Sequence, residues 1–245
     1  KKGNSVILHD VGISCRRIVN GLKELHIDMA QVEGIFISHE HSDHIAGLQQ
    51  LLKRFDIPVY TKQGTWREIQ DKLVVPKNQL IELTKGSLTL GNLVVEPFAV
   101  SHDAADPIGI NVFSGKDKAT VVTDTGIISD DILHRIDDST LLVLEANYDP
   151  HMLRFGPYQP FLKQRVASDE GHLSNEMAAQ ALLMMKRPDF MQVILAHRSE
   201  NNNNAVLVTQ TIGKMLVDGG VRIGPEMKLQ HGQPNEIVSM QSIKR

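Results

Sequence analysis

The chain has 245 residues, with 26 Lys and Arg against 29 Asp and Glu for a formal charge of −3. That balance excludes a generally basic nucleic-acid binder and leaves room only for a local positive site. The single cysteine, Cys15, excludes an internal disulfide or a cysteine-rich zinc site and fits a reducing cytoplasm.

Hydrophobic residues make up 41% of the chain, enough for one substantial core or at most two small ones. No apolar run approaches the ~18 residues of a membrane span, and the opening KKGNSVILHD lacks the apolar stretch of a secretory signal. A cytoplasmic protein without a membrane partner is expected. Only 11 aromatic residues leave little for base-stacking platforms.

In chain order, Gly34–Ser38 is short and apolar throughout, which predicts a strand buried on both faces. After Asp43, the apolar residues Ile45, Leu48, Leu51, Leu52 and Phe55 recur at helical spacing and predict one helix. Leu80–Val100 alternates and predicts antiparallel strands. Ala119–Thr123, Leu141–Glu145 and Val193–Ala196 predict three more buried strands. A helix starts at Ser174, carries Glu176 in its first turn and ends at Lys186-Arg187-Pro188. Asn201–Asn204 reads as a turn or N-cap before a helix over Val206–Val217, which stops at Gly219–Gly220. Neither a linker nor an internal repeat interrupts the pattern. The expectation is an α/β fold over 1–245 as a single domain, with two sheets covered by helices on their outer faces.

Chemistry concentrates at strand ends. His39-Glu40-His41-Ser42-Asp43-His44 directly follows the first predicted strand. Packed imidazoles repel when protonated, and a metal ion relieves that repulsion. His102, Asp124 and His197 each follow another predicted strand, the place where functional side chains of layered α/β folds gather. Together these residues supply five imidazoles and two carboxylates, too many for one tetrahedral ion and suited to two. The expected division gives His39, His41 and His102 to one divalent ion, and Asp43, His44 and His197 to a second. Asp124 bridges them. Two ions, two aspartates and a bridging hydroxide leave a site near about +1, which attracts a phosphate and stabilises its transition state. Imidazole favours zinc or iron, whereas carboxylate and phosphate chemistry also suits manganese.

Glu145 ends a predicted strand, and His172 stands two residues before the N-cap at Ser174. A carboxylate beside an imidazole favours its protonated form, as a general acid requires. Spacing alone favours the plainer alternative, a structural histidine and a buried glutamate capped by backbone. Lys163, Arg165 and Asn175 are candidates for phosphate contacts, with a solvated helix face as the alternative for the two cations. His9, His26, His134, His151 and His231 fit no motif and read as surface or structural. Cys15 reads as a core filler.

The H-x-H-x-D-H string, followed by His, Asp and His after successive strands, resembles the metallo-β-lactamase superfamily. The resemblance implies an αββα four-layer sandwich with a dinuclear site at one edge of the inner sheets. It also implies an early strand, Val6–Asp10, whose Asp10 orients a ligand; capping a helix near Ser14 is the alternative. Zinc β-lactamases carry a cysteine where this chain has Asp124, whereas glyoxalase II shares the ligand set. Glu145-Ala146 with His172-Leu173-Ser174 is similar to the proton-donor pair of transfer-RNA 3′-processing nucleases. More closely, LEANYD, GPYQPFLKQRV, DEGHLSN and LAHRSENNN resemble the YycJ/WalJ family over nearly the whole chain.

That resemblance implies a cytoplasmic 5′-to-3′ exonuclease on duplex DNA ends. A metal-bridging hydroxide would be the nucleophile, Asp43, Glu145 and His172 would belong to the catalytic set, and His172, held by Glu145, would be the proton donor. A glyoxalase II-type thioester hydrolase and a non-catalytic metal-binding partner protein remain as alternatives. Family members begin with a longer Ser/Gly-rich strand and hairpin than Lys1–Ser5 provides, which suggests a truncated N-terminal strand. Only 72 residues separate Asp124 from His197, too few for the large cap of β-CASP nucleases.

Overall fold

The computed structural model describes residues 1, 3–84, 86–234 and 236–239. It is a mixed α/β fold with two sheets, ordered β1-β2-β3-β4 and β11-β10-β9-β8-β7-β6-β5. The chain divides into two compact units.

The first unit takes in Lys1–Ala99, Ala104–Ile108 and Val112–Ser114. Its elements are β1 (Val6–His9), α1 (Cys15–Glu24), β2 (Val32–Phe36), α2 (Ser42–Ile45), α3 (Leu48–Leu52), β3 (Val59–Thr61), α4 (Gln63–Lys72), β4 (Leu80–Glu82), β5 (Leu88–Leu90) and β6 (Leu93–Ala99), with part of β7 (Ile108–Ser114). Strands β1 to β4 are all parallel, with Ile35 opposite Val59 and Val59 opposite Leu80. Ile35, Ile37, Leu48, Leu51, Val59 and Ile69 are fully buried in one cluster. Burial of each large aliphatic side chain contributes about 1.5–3 kcal/mol. Gly34 admits the ring of Tyr60, since a Cβ there would lie 2.6 Å from a ring carbon. The ring stacks on Phe36 at 5.0 Å.

Two expectations are corrected in this unit. The run after Asp43 forms two short helices, because the 11–13 segment takes over the backbone groups at the junction. Val11 donates its N–H to the His44 carbonyl at 2.9 Å, and Gly47 donates to the Val11 carbonyl at 2.8 Å. These bonds replace i→i−4 bonds of a continuous helix. Phe55 lies beyond α3. Within Leu80–Val100, β5 and β6 form an antiparallel hairpin, whereas β4 pairs parallel with β3.

The second unit takes in Val100–Asp103, Gly109–Asn111 and Gly115–Arg245. It holds β8 (Asp117–Val122), α5 (Asp130–Ile136), β9 (Leu141–Glu145), α6 (Pro150–Phe155), α7 (Pro160–Val166), α8 (Asn175–Met184), β10 (Met191–Ala196), α9 (Ala205–Asp218) and β11 (Met227–His231). Strands β8 to β11 are parallel, with Val121 opposite Val143 and Ala196 opposite Glu145. Burial alternates along β8 and β9: Val122, Leu142 and Leu144 are buried, whereas Val121, Leu141 and Val143 on the opposite face are half-buried. The expected burial on both faces is therefore corrected to one fully buried face and one partly covered face. The caps fall where the sequence places them. The Ser174 side chain accepts from Met177 N–H, and that of Asn204 accepts from Leu207 N–H. Among the described residues, no helix is long and apolar enough to cross a membrane.

Candidate active site

In the first unit the histidine loop follows β2 directly. Asp10, one residue past β1, has φ +56°, in the left-handed region that L-residues rarely occupy. That turn returns its carboxylate toward the loop. It accepts from Ser38 N–H at 2.8 Å, Ser38 Oγ–H at 2.8 Å and His44 Nδ1–H at 2.8 Å. Ser14, not Asp10, caps α1. Ser38 Oγ also accepts from His39 Nδ1–H at 2.9 Å. Asp10 and Ser38 therefore hold the Nδ1 protons of His39 and His44 and leave each Nε2 as a lone-pair donor. His39 Nε2 lies 3.0 Å from His41 Nδ1. Burial opposes the Asp10 charge, but His9, His44 and Ser38 outweigh it and hold the carboxyl well below the usual carboxylate range. Glycine clears space for this loop: a Cβ on Gly12 would lie 1.5 Å from the Asp43 carbonyl oxygen.

In the second unit Asp124 (φ +55°) and His197 (φ +52°) repeat the left-handed turn just past β8 and β10. Ligand atoms of Asp124, Glu145, His172 and His197 lie within 4.8 Å of one another. Glu145, at the end of β9, is fully buried. Its Oε1 accepts from His172 Nδ1–H at 2.8 Å and His197 Nδ1–H at 2.7 Å. Its Oε2 accepts from Thr125 N–H at 3.2 Å and Leu173 N–H at 3.0 Å. Four donors fill the four lone-pair sites of one carboxylate. Burial resists its charge, yet the two imidazoles prevail and hold Glu145 well below the usual range. Burial likewise works against the His172 imidazolium, but the Glu145 bond and charge overcome it and raise the pKa.

The His172 Nδ1–H is committed to Glu145, so its Nε2 is the atom that can deliver a proton. His197 Nε2 lies 3.4 Å from Asp124 Oδ1. His102 Nδ1–H donates to the Gly171 carbonyl at 3.1 Å, leaving Nε2 toward Asp124 Oδ1 at 3.8 Å. Burial pushes the His102 pKa down, favouring the neutral imidazole that a metal needs. Imidazoles anchored through one nitrogen, with the other facing carboxylate, fit divalent ions.

The remaining candidates separate. Lys163 Nζ donates to the Arg154 carbonyl at 2.8 Å, and Arg165 pairs with Asp103, the residue after His102. Asn175 is corrected: it is fully buried and bonds Asn203, so it belongs to a core amide network and cannot meet a phosphate. Cys15 is buried in the first unit's core. His231 bonds Thr209 at 2.9 Å, and His151 packs on Phe155. Sequence reasoning passed over Ser38, Asp103 and Asn147. Asn147 Nδ2 donates to the His197 carbonyl at 2.8 Å. Its signal was available, since Asn147 stands two residues after Glu145 in LEANYD.

A family described as a beta-lactamase superfamily domain matches residues 7–197. The exodeoxyribonuclease YycJ of Bacillus anthracis is 33% identical over 239 residues, covering 97% of this chain and 90% of that protein. The exodeoxyribonuclease WalJ of Streptococcus pneumoniae serotype 2 is 31% identical over 242 residues, with 97% and 90% coverage. The solved metallo-beta-lactamase fold protein YhfI from Bacillus subtilis superposes with a TM-score of 0.68 at 15% identity, covering 94% of this chain and 86% of that one.

Proposed function

The chain is a metallo-β-lactamase-fold hydrolase of the YycJ/WalJ family, and from that premise we propose that it is a metal-dependent 5′-to-3′ exonuclease acting on duplex DNA ends. The observation that carries the reading is the 2.8 Å bond from His172 Nδ1–H to a fully buried Glu145 carboxylate. Hydrolysis of a phosphodiester breaks a P–O bond and expels an alkoxide, which needs a proton; hydrolysis of a thioester expels a thiolate, which does not. A raised imidazole pKa, with Nδ1–H held by Glu145 and Nε2 left to carry the mobile proton, suits delivery of that proton to the leaving oxygen.

His39, His41, Asp43 and His44 of the first unit, and His102, Asp124 and His197 of the second, are the residues that would hold divalent ions. When bound, two divalent ions supply Lewis acidity toward a phosphate oxygen and lower the pKa of water. Asp10 and Ser38 hold the loop imidazoles in the ligating tautomer, and Glu145 does the same for His197 while charging His172. Glu145 thus serves ligand placement and proton delivery through one oxygen. Contacts to DNA should be few and local on a chain of net charge −3.

The test is chelation followed by addition of zinc, manganese or iron, against blunt, nicked and single-stranded DNA, RNA and a thioester. Ion-restored loss of duplex DNA supports the reading. Thioester turnover with every nucleic acid intact would overturn it in favour of a glyoxalase II-type hydrolase, and no turnover of any substrate would favour a non-catalytic partner protein.

A further inference from the structure

Aromatic residues are scarce in this chain, but their distribution matters more than their number. Between Asp149 and Asp169 the sequence carries Arg154, Lys163 and Arg165 and no carboxylate, in a chain whose net charge is −3. The same stretch holds Phe155, Tyr158 and Phe161. It folds as α6 and α7, joined through Leu153 and Val166, with Tyr158 and Leu162 packed against them. Two rings do not join that small core. Phe155 is 68% exposed and Phe161 is 71% exposed. Arg154 stacks its guanidinium 5.3 Å from the Phe155 ring centre, and the Lys163 ammonium reaches the Arg154 carbonyl at 2.8 Å. Among the described residues, neither Arg154 nor Lys163 pairs with a carboxylate.

The segment is tied to both catalytic loops of its unit. His172 N–H donates to the Val166 carbonyl at 2.9 Å, and a Cβ on Gly171 would lie 2.3 Å from that oxygen, so the end of α7 rests on the proton-donor loop. On the other side, Asp149 N–H donates to the Asn202 carbonyl at 2.8 Å, and Asn201 Nδ2 to Tyr158 Oη at 3.4 Å, both in the loop after His197.

We propose that Phe155 and Phe161, flanked by Arg154 and Lys163, form a stacking surface for unpaired bases at the end of a nucleic-acid strand whose phosphate is delivered to His172. The inference rests on the nuclease reading above. Charge favours this occupant: exposed rings beside uncompensated cations match a polyanion carrying flat apolar bases, whereas a second copy of the chain would bring the same cations face to face. Stacking also needs no sequence readout, since every base has a π-face.

The test compares the wild type with the Phe155→Ala/Phe161→Ala and Phe155→Trp/Phe161→Trp double variants, on DNA and on bis-p-nitrophenyl phosphate, which has no base. Both side chains are largely exposed, so the fold does not depend on them. The alanine pair should lower the ratio of kcat/KM on DNA to that on the base-free diester by roughly 5- to 150-fold for each stacked base lost. It should also weaken quenching of a terminal 2-aminopurine, and the tryptophan pair should restore both. A wild-type enzyme that degrades DNA, with an unchanged ratio in the alanine pair, overturns the stacking surface alone. So does a change of oligomeric mass in the alanine pair with that ratio unmoved. A wild-type enzyme that cleaves no nucleic acid overturns the nuclease reading, and the stacking surface with it.

Discussion

Glu145→Gln is the most informative single change, because it keeps the shape of the side chain and reverses half of its hydrogen-bonding capacity. All four partners of Glu145 are donors: the Nδ1–H groups of His172 and His197 at one oxygen, and the N–H groups of Thr125 and Leu173 at the other. An amide offers one acceptor and one NH2. Whichever way it turns, its NH2 meets two donors in a fully buried place. Each unsatisfied buried donor costs about 1–3 kcal/mol, so two cost roughly 2–6 kcal/mol. That is a large part of a typical ~5–15 kcal/mol of stability, but the variant still folds. The imidazoles could relieve the conflict by moving their protons to Nε2, which would remove His197 Nε2 as a metal donor. Stability and metal retention are therefore opposed in this variant.

The pH dependence follows by sign. Glu145 is held below the ordinary carboxylate range, so its contribution is fully present above its unfolded pKa of about 4.3 and is lost as pH falls through the lower folded value. The His172 pKa is raised, so the proton donor is charged below it and is lost as pH rises through it. Glu145→Gln should bring that basic limb to lower pH. Urea unfolding of the metal-free variant, its bound metal and its pH–rate profile are the measurements. An unfolding midpoint, metal content and basic limb all matching the wild type would refute the reasoning.

Further expectations concern the same site. His172→Ala should keep bound metal and lose DNA turnover by roughly 10²–10⁴. That loss should shrink on a p-nitrophenyl diester, whose leaving group needs no proton; equal losses would make His172 a structural residue. Asp124→Ala should lose most bound metal by elemental analysis along with nearly all activity, and a fully loaded, active variant would exclude its role as a ligand. Asp10→Asn should weaken metal binding about 10- to 100-fold in competition with a chelator, because the His44 tautomer loses its carboxylate. Gly12→Ala would drive a methyl to 1.5 Å from the Asp43 carbonyl. It should therefore lower Tm by several degrees and disturb metal binding together. Lys163→Ala should reduce the salt slope of DNA binding by about 0.9 if the ammonium meets one phosphate.

Much of this was legible in the sequence, for identifiable reasons. Buried parallel strands need apolar runs, so Leu141–Glu145 matched β9 residue for residue, and capping chemistry placed Ser174 and Asn204 as the starts of α8 and α9. Strand ends carrying His or Asp marked out the candidate site, because nothing in a core requires them there. What remained hidden depends on tertiary partners. Periodicity from Ile45 to Phe55 cannot reveal that Val11 captures the backbone of His44 and Gly47. Alternation cannot say whether a strand pairs forward or backward, so β4 was assigned the wrong direction. Asn175 looks like any polar residue in a first helical turn until Asn203 is seen to complete its amide pair. The double engagement of Glu145 was equally invisible, because His197 lies 52 positions away in sequence.

The central claim is ion-dependent hydrolysis of a DNA phosphodiester from the 5′ end. It is tested most directly by a time course on one blunt duplex, labelled at either the 5′ or the 3′ end, with chelator and with manganese or zinc restored. The expected result is an intact duplex under chelation and, with metal, prompt release of short products from the 5′ label while the 3′ label shortens stepwise. Prompt short products from the 3′ label, or an intact duplex with every ion, would contradict it.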